Sequence, residues 1–312
     1  MFSIEGCESM KVRLPIEWNR PALTSLGVRL DTSPEAFGML RDSTQVRDDA
    51  AELKRRMTDD GYLMIRGLLD PVAVCDARLR VVDSLASRGL LDPAFAPAER
   101  VAVPGVRVSK FGFEGEDRRF GEVRQLVRSA RAMNFFDDFL ASPARAFDYI
   151  WMRLMAPGQA SAPHCDVVYM GRGTHNFFTA WIPLTKVSLA DGPLMVLEGS
   201  HLIERLRTEY ANMDVDKDGN WRRLKYRHGW IFRGGDYSRN PRRTSGEFGL
   251  RWLTAEFEPG DVVIFTPYTL HGSLDNHSRR FRISLDARYQ RAIEPIDERW
   301  IGEQPIGHSR AE

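Results

Sequence analysis

Between Phe147 and Tyr289 the chain runs through five short apolar or alternating stretches: FDYIWMRLM (147–155), FFTAWIPL (177–184), PLMVLEG (193–199), DVVIF (261–265) and FRISLDARY (281–289). Turn signals separate them at Pro157-Gly158, Gly171 to Gly173, Asp191-Gly192 and Pro259-Gly260. Short strands with regular turns and no helical crossovers read as an antiparallel sandwich or barrel. Upstream the pattern is helical. A charged helix spans about Gln45 to Asp59 and stops at Gly61, and YLMIRGLL (62–69) follows as an apolar strand. Asp70-Pro71 then supplies an N-cap and a first-turn proline. Val74, Ala77, Val81 and Leu85 repeat at helical spacing, and Gly89 ends that helix. Two short helices are expected within 119–141. The fold class is therefore mainly β with flanking helices (α+β). The expected layout is one domain over 1–312: an N-terminal arm (1–44), a helical support region (45–146), a β core (147–291) and a C-terminal tail (292–312).

The stretch 201–250 interrupts the core. It has little periodicity, and from Arg222 to Arg243 it carries eight Lys or Arg against one acid, Asp236. It is either an active-site lid or a solvated surface excursion. As a lid, its charge points to an anionic small-molecule substrate.

A formal net charge of +1 argues against a general nucleic-acid binder. Three scattered cysteines, Cys7, Cys75 and Cys165, suit free thiols in a reducing compartment. No apolar run reaches the ~20 residues that span a bilayer, and the first residues show no apolar signal core. The expectation is a cytoplasmic protein with no membrane partner.

His164 and Asp166 stand two apart in Pro163-His164-Cys165-Asp166. On an extended strand, residues i and i+2 share a face, so one strand end can aim an imidazole and a carboxylate at one point. A second histidine would complete a 2-His-1-carboxylate triad, a site that holds Fe(II) and leaves open positions. His271 is the candidate, because it sits just past the buried strand DVVIF. His175 and His277 lack such a strand context, and His201, a rival that follows Gly199-Ser200, reads as a hydrogen-bonded loop residue. In FRISLDARY and the residue before it, Arg280, Arg282, Ser284, Asp286 and Arg288 fall on one face. By periodicity alone that face belongs in water, and Arg282 is an ordinary surface residue.

His164-x-Asp166, then His271, then Arg282 with Ile283-Ser284 resembles the phytanoyl-CoA dioxygenase (PhyH) family of Fe(II)- and 2-oxoglutarate-dependent oxygenases. DDGYLMIRGLLD (59–70) and DGPLMVLEGSH (191–201) extend the resemblance, which covers about Ala51 to Tyr289. It implies a double-stranded β-helix (jelly-roll, cupin-like) core. It also implies His164, Asp166 and His271 as iron ligands, and Arg282 as the partner of the distal 2-oxoglutarate carboxylate, a task that suits a planar guanidinium fork. Ser273 and Ser284 would help bind that cosubstrate, Trp181 would line the pocket, and Lys110 would contribute from VSKFGF. With O2, the implied reaction is hydroxylation of an aliphatic C–H bond of a small metabolite, releasing succinate and CO2. Two alternatives stay open at this point: an acyl-CoA hydroxylase using the Arg-rich 222–243 segment for phosphates, and a non-enzymatic cupin-like sensor of a metal or an acid.

Overall fold

A computed structural model describes residues 22–108, 120–217, 223–225 and 231–308; Lys110, Arg222 and Arg227 lie outside them. In chain order the strands and helices begin with β1 (Thr24–Ser25), β2 (Val28–Arg29), β3 (Phe37–Met39), α1 (Ala50–Asp60), β4 (Tyr62–Ile65) and α2 (Pro71–Ser87). Next come α3 (Gly121–Val127), α4 (Ala130–Leu140), β5 (Ala144–Ala146), β6 (Trp151–Met155), α5 (Val167–Met170) and β7 (Phe177–Pro183). The chain continues through β8 (Leu194–Leu197), α6 (Glu204–Thr208), β9 (Arg223–Lys225), β10 (Ile231–Arg233) and α7 (Pro241–Phe248). The last strands are β11 (Trp252–Thr254), β12 (Val262–Phe265), β13 (His271–Ser273) and β14 (Arg282–Arg291).

The helices begin and end where local chemistry dictates. Asp49 caps α1 by accepting from Glu52 N at 3.0 Å, and Gly61 closes it with φ +77°. Asp70 caps α2 by accepting from Val72 N at 3.0 Å, with Pro71 in the first turn. Val74, Ala77, Val81 and Leu85 are all buried, as their spacing predicts.

Two sheets face each other. The larger runs β4-β12-β7-β14-β5, with β6 also paired to β14; the smaller runs β13-β8-β11-β3. All of these pairings are antiparallel except β11 with β3. Tyr62, Met64, Trp181, Val263 and Phe265 of the large sheet pack against Leu194, Val196 and Leu253 of the small one. The outer face of the large sheet, including Ile283, Leu285, Ala287 and Tyr289, packs on helices α1 to α4. This is the double-stranded β-helix that the resemblance implies.

β14 corrects the periodicity reading. Arg282, Ser284, Asp286 and Arg288 do share a face, but that face points between the sheets, not into water, and all four are buried. Alternation reports two different faces; which one is wet depends on what covers each. Here helices cover the apolar face and the second sheet covers the polar one.

Two further readings change. Residues 22–44 are more than an irregular arm, because β3 adds a parallel strand to the small sheet. The β1–β2 turn is tied down by Asp275, which accepts from Leu26 N at 2.8 Å and Gly27 N at 3.0 Å. Nor are the described parts of 201–250 a solvated excursion. Leu206, Tyr210, Met213, Val215 and Tyr237 join Trp252, Val167 and Leu270 in an apolar cluster. The segment covers the small sheet much as the helices cover the large one. At the other end of the chain, Trp300 is fully buried against Tyr149 and Trp151.

Candidate active site and metal centre

The sequence expectation of His164 and Asp166 on one strand is not what the structure shows. His164 makes an isolated bridge to His271, with His164 N to His271 O at 2.9 Å and His271 N to His164 O at 3.0 Å. Pro163 has no N–H to extend a ladder. Two residues later Asp166 is helical (φ −67°, ψ −25°) and opens α5, with Val167 N bonded to Pro267 O at 3.0 Å. The bridge and the turn, rather than a pleat, bring the carboxylate under the two imidazoles.

The ligating atoms of His164, Asp166 and His271 all lie within 4.8 Å of one another. Asp166 Oδ1 stands 3.9 Å from His164 Nε2 and 3.8 Å from His271 Nε2, too far for direct hydrogen bonds. Each ring is fixed through its other nitrogen: His164 Nδ1 to Ala162 O at 2.7 Å, and His271 Nδ1 to Thr269 O at 3.0 Å. A carbonyl only accepts, so each Nδ1 carries the proton and each Nε2 presents a lone pair. Burial pushes both histidines below the usual imidazole range, and the two rings also disfavour each other's charge at His164. Burial alone would raise Asp166. Arg288 and the Thr179 hydroxyl outweigh it and hold the carboxyl well below its ordinary range. Two neutral imidazoles and an ionised carboxylate are a donor set fit for a divalent iron.

Beside this cluster lies a pocket lined by His164, His271, Trp181, Ser273 and Arg282, with Arg153 and Asp286. Arg282 is 2% exposed. Its Nη1 donates to Ser284 Oγ at 2.7 Å, its guanidinium carbon lies 5.8 Å from the Trp181 ring centroid, and its buried Nε has no partner. Among the described residues no carboxylate comes within ion-pairing range of it. Burial lowers its pKa to about 10, so it remains a cation at neutral pH. A buried guanidinium with unspent donors is a ready seat for a carboxylate ligand. Ser273 Oγ accepts from Ser161 N at 2.8 Å and faces the same pocket.

The pocket thus gathers His164, His271, Trp181, Ser273 and Arg282, with Asp166 beneath and Ser284 behind Arg282. Lys110 lies outside the described residues. The three rival histidines are engaged elsewhere: His201 Nε2 with Thr58 O at 2.8 Å, His175 with Tyr268 and Gly171, and His277 with Thr24. Sequence reasoning missed three groups. Arg288 and Thr179 hold Asp166, and Arg153 pairs with Asp286 at 2.7 Å in the pocket wall. A signal existed for Arg288, which shares the Arg282 face.

Among known proteins, the chain is 28% identical over 265 residues to a 1-deoxypentalenic acid 11-beta-hydroxylase of Streptomyces exfoliatus, covering 80% of this chain and 84% of that protein. It is 21% identical over 257 residues to a probable phytanoyl-CoA dioxygenase of Caenorhabditis elegans, covering 77% and 75%. In fold it resembles the epimerase SnoN in complex with Fe3+, alpha ketoglutarate and nogalamycin RO, at TM-score 0.53 and 21% identity over 80% of this chain and 87% of that one. It also resembles EctD of S. alaskensis, crystallised with 2-oxoglutarate and 5-hydroxyectoine, at TM-score 0.53 and 16% identity over 89% and 88%. The sequence profile of the phytanoyl-CoA dioxygenase (PhyH) family matches residues 57–284, and the chain belongs to that family of iron- and 2-oxoglutarate-dependent oxygenases.

Proposed function

We propose that this oxygenase hydroxylates an aliphatic C–H bond of a small, anionic metabolite, with His164, Asp166 and His271 holding iron(II) and Arg282 holding 2-oxoglutarate. One observation carries the residue assignment. The buried Arg282 guanidinium, with no carboxylate partner among the described residues, opens into the same pocket as the His-Asp-His cluster.

Iron with 2-oxoglutarate and O2 supplies the oxidising power, with succinate and CO2 as co-products. The chain's own residues do the positioning. Ala162 O and Thr269 O hold the imidazoles in one tautomer. Arg282 binds the distal carboxylate by charge and by its planar fork, Ser284 keeps that fork in one rotamer, and Trp181 packs against it. Ser273 adds a hydroxyl beside the cosubstrate, and Phe265 and Leu194 keep that part of the pocket dry. An anionic substrate is supported by the carboxylic acid named for the Streptomyces relative and by the basic stretch 222–243.

The test is an anaerobic titration of apo-protein with Fe(II) and then 2-oxoglutarate, followed by visible absorption. A metal-to-ligand charge-transfer band that disappears in His164→Ala and His271→Ala supports the assignment. Metal binding with no band removes 2-oxoglutarate from the site. Small carboxylic acids are then screened for succinate release coupled to a product one oxygen heavier. Succinate release that responds only to uncharged compounds overturns the anionic substrate.

A further inference from the structure

The two oxygens of Asp166 have different neighbours. Oδ1 faces the Nε2 atoms of His164 and His271. Oδ2 accepts from Arg288 Nη2 at 3.0 Å and also from the Thr179 hydroxyl. Arg288 and Thr179 are 1% and 0% exposed, and they are register partners, directly opposite each other on β14 and β7. Such pairs present their side chains together on one face of the sheet. Arg288 is itself fixed. Its guanidinium carbon lies 3.9 Å from the Trp151 ring centroid, and Nη1 donates to Asp286 O at 3.1 Å.

We infer that Arg288 and Thr179 form a clamp that reserves Oδ2, so that Asp166 offers the metal one oxygen rather than two. This rests on the iron site proposed above. Carboxylates bind divalent metals through either one oxygen or both. A second oxygen would occupy a position that the 2-His-1-carboxylate site leaves open and that a chelating cosubstrate needs. Turning Oδ2 onto the metal would leave a guanidinium and a hydroxyl without their acceptor in a dry interior, which such an interior resists. Charge balance for a buried Asp166 would require Arg288 alone. The neutral Thr179 hydroxyl adds no charge, yet it converges on the same oxygen. Both are positioning residues, acting on the metal through Asp166.

The test uses Mn(II) as probe, with water-proton relaxation counting its exchangeable waters and competition with 2-oxoglutarate measuring cosubstrate affinity. Thr179→Val removes the hydroxyl at constant shape, and Arg288→Met removes the cation. Each is expected to keep Mn(II) bound with one fewer exchangeable water and to weaken 2-oxoglutarate roughly 10-fold or more. Thr179→Ser and Arg288→Lys are expected to recover part of both. If Arg288→Met does not fold, the Thr179 pair decides. Wild-type water count and cosubstrate affinity in Thr179→Val would overturn the clamp while leaving the iron site standing. Failure of the wild-type protein itself to bind Mn(II) would remove the site and the clamp together.

Discussion

His164 and His271 hydrogen-bond to each other through their backbones in both directions, at 2.9 and 3.0 Å, while their side-chain Nε2 atoms point at one carboxylate oxygen. The backbone bridge needs neither imidazole. His164→Gln and His271→Gln should therefore fold as the parent does, by circular dichroism and thermal melting. Each should weaken Fe(II) by more than the roughly 10- to 100-fold typical of outer-shell changes. A variant that melts early would mean that the rings carry the fold as well.

Arg282→Ala removes the charge that is proposed to meet 2-oxoglutarate. Hydrogen bonds involving a charged group contribute about 1.5–3 kcal/mol, so KM for 2-oxoglutarate should rise roughly 10- to 100-fold, with the KM for the oxidised substrate changed far less. Asp166→Ala should abolish turnover at any cosubstrate concentration. An unchanged 2-oxoglutarate KM in Arg282→Ala would remove the anchor assignment.

Ser284→Ala tests the support of that anchor. Its hydroxyl accepts from Arg282 Nη1, and its loss leaves the guanidinium freer to rotate. A several-fold rise in the 2-oxoglutarate KM is expected, consistent with about 0.5–1.5 kcal/mol for one hydrogen bond. Fe(II) affinity should stay at the parent value. A change in Fe(II) affinity alone would place Ser284 in some other role.

Three histidines are held neutral by burial: His164, His271 and His201. In each, the folded pKa lies below the unfolded one. As pH falls below about 6.5, the unfolded chain gains protons that the folded chain does not. Stability should thus fall as pH drops from 7 to 5, and apo-protein melting temperatures will show it. His201→Gln should shallow that slope without affecting metal binding. A melting temperature flat from pH 7 to 5 would contradict the direction of these shifts.

Gly61 closes α1 at φ +77°, and a Cβ there would lie 2.3 Å from His201 Nδ1. Gly61→Ala should cost at least the roughly 1–3 kcal/mol of left-handed strain, plus the clash. Adding His201→Ala should recover the clash alone, and urea unfolding of the two single variants and the double measures the coupling.

Much of this was legible in the chain, and the gaps have physical causes. Asp70-Pro71 located α2 because capping is local chemistry. DVVIF and FFTAWIPL located β12 and β7 because central strands are apolar on both faces. The Arg282 face of β14 was assigned to water, because alternation cannot say that a second sheet covers the polar side. Asp166 was placed on a strand although it begins a helix, because Val167 bonds Pro267, a partner distant in sequence. β3 and β13 are three residues each, too short for any period. Trp181 and Ser273 line the pocket, a placement that only the family pattern suggested. Thr179 carried no signal of its own, since its role exists only once β7 and β14 are in register.

β14 sets Arg282 and Arg288 six residues apart on one inward face, about 20 Å of extended chain. One end is proposed to hold the cosubstrate's far carboxylate and the other holds the far oxygen of Asp166. The strand therefore works as a gauge, with a fixed span between the proposed cosubstrate anchor and the grip on Asp166. Point substitutions can retune either grip. Deleting or inserting a single residue between them would turn one grip toward the helices and leave the other in place.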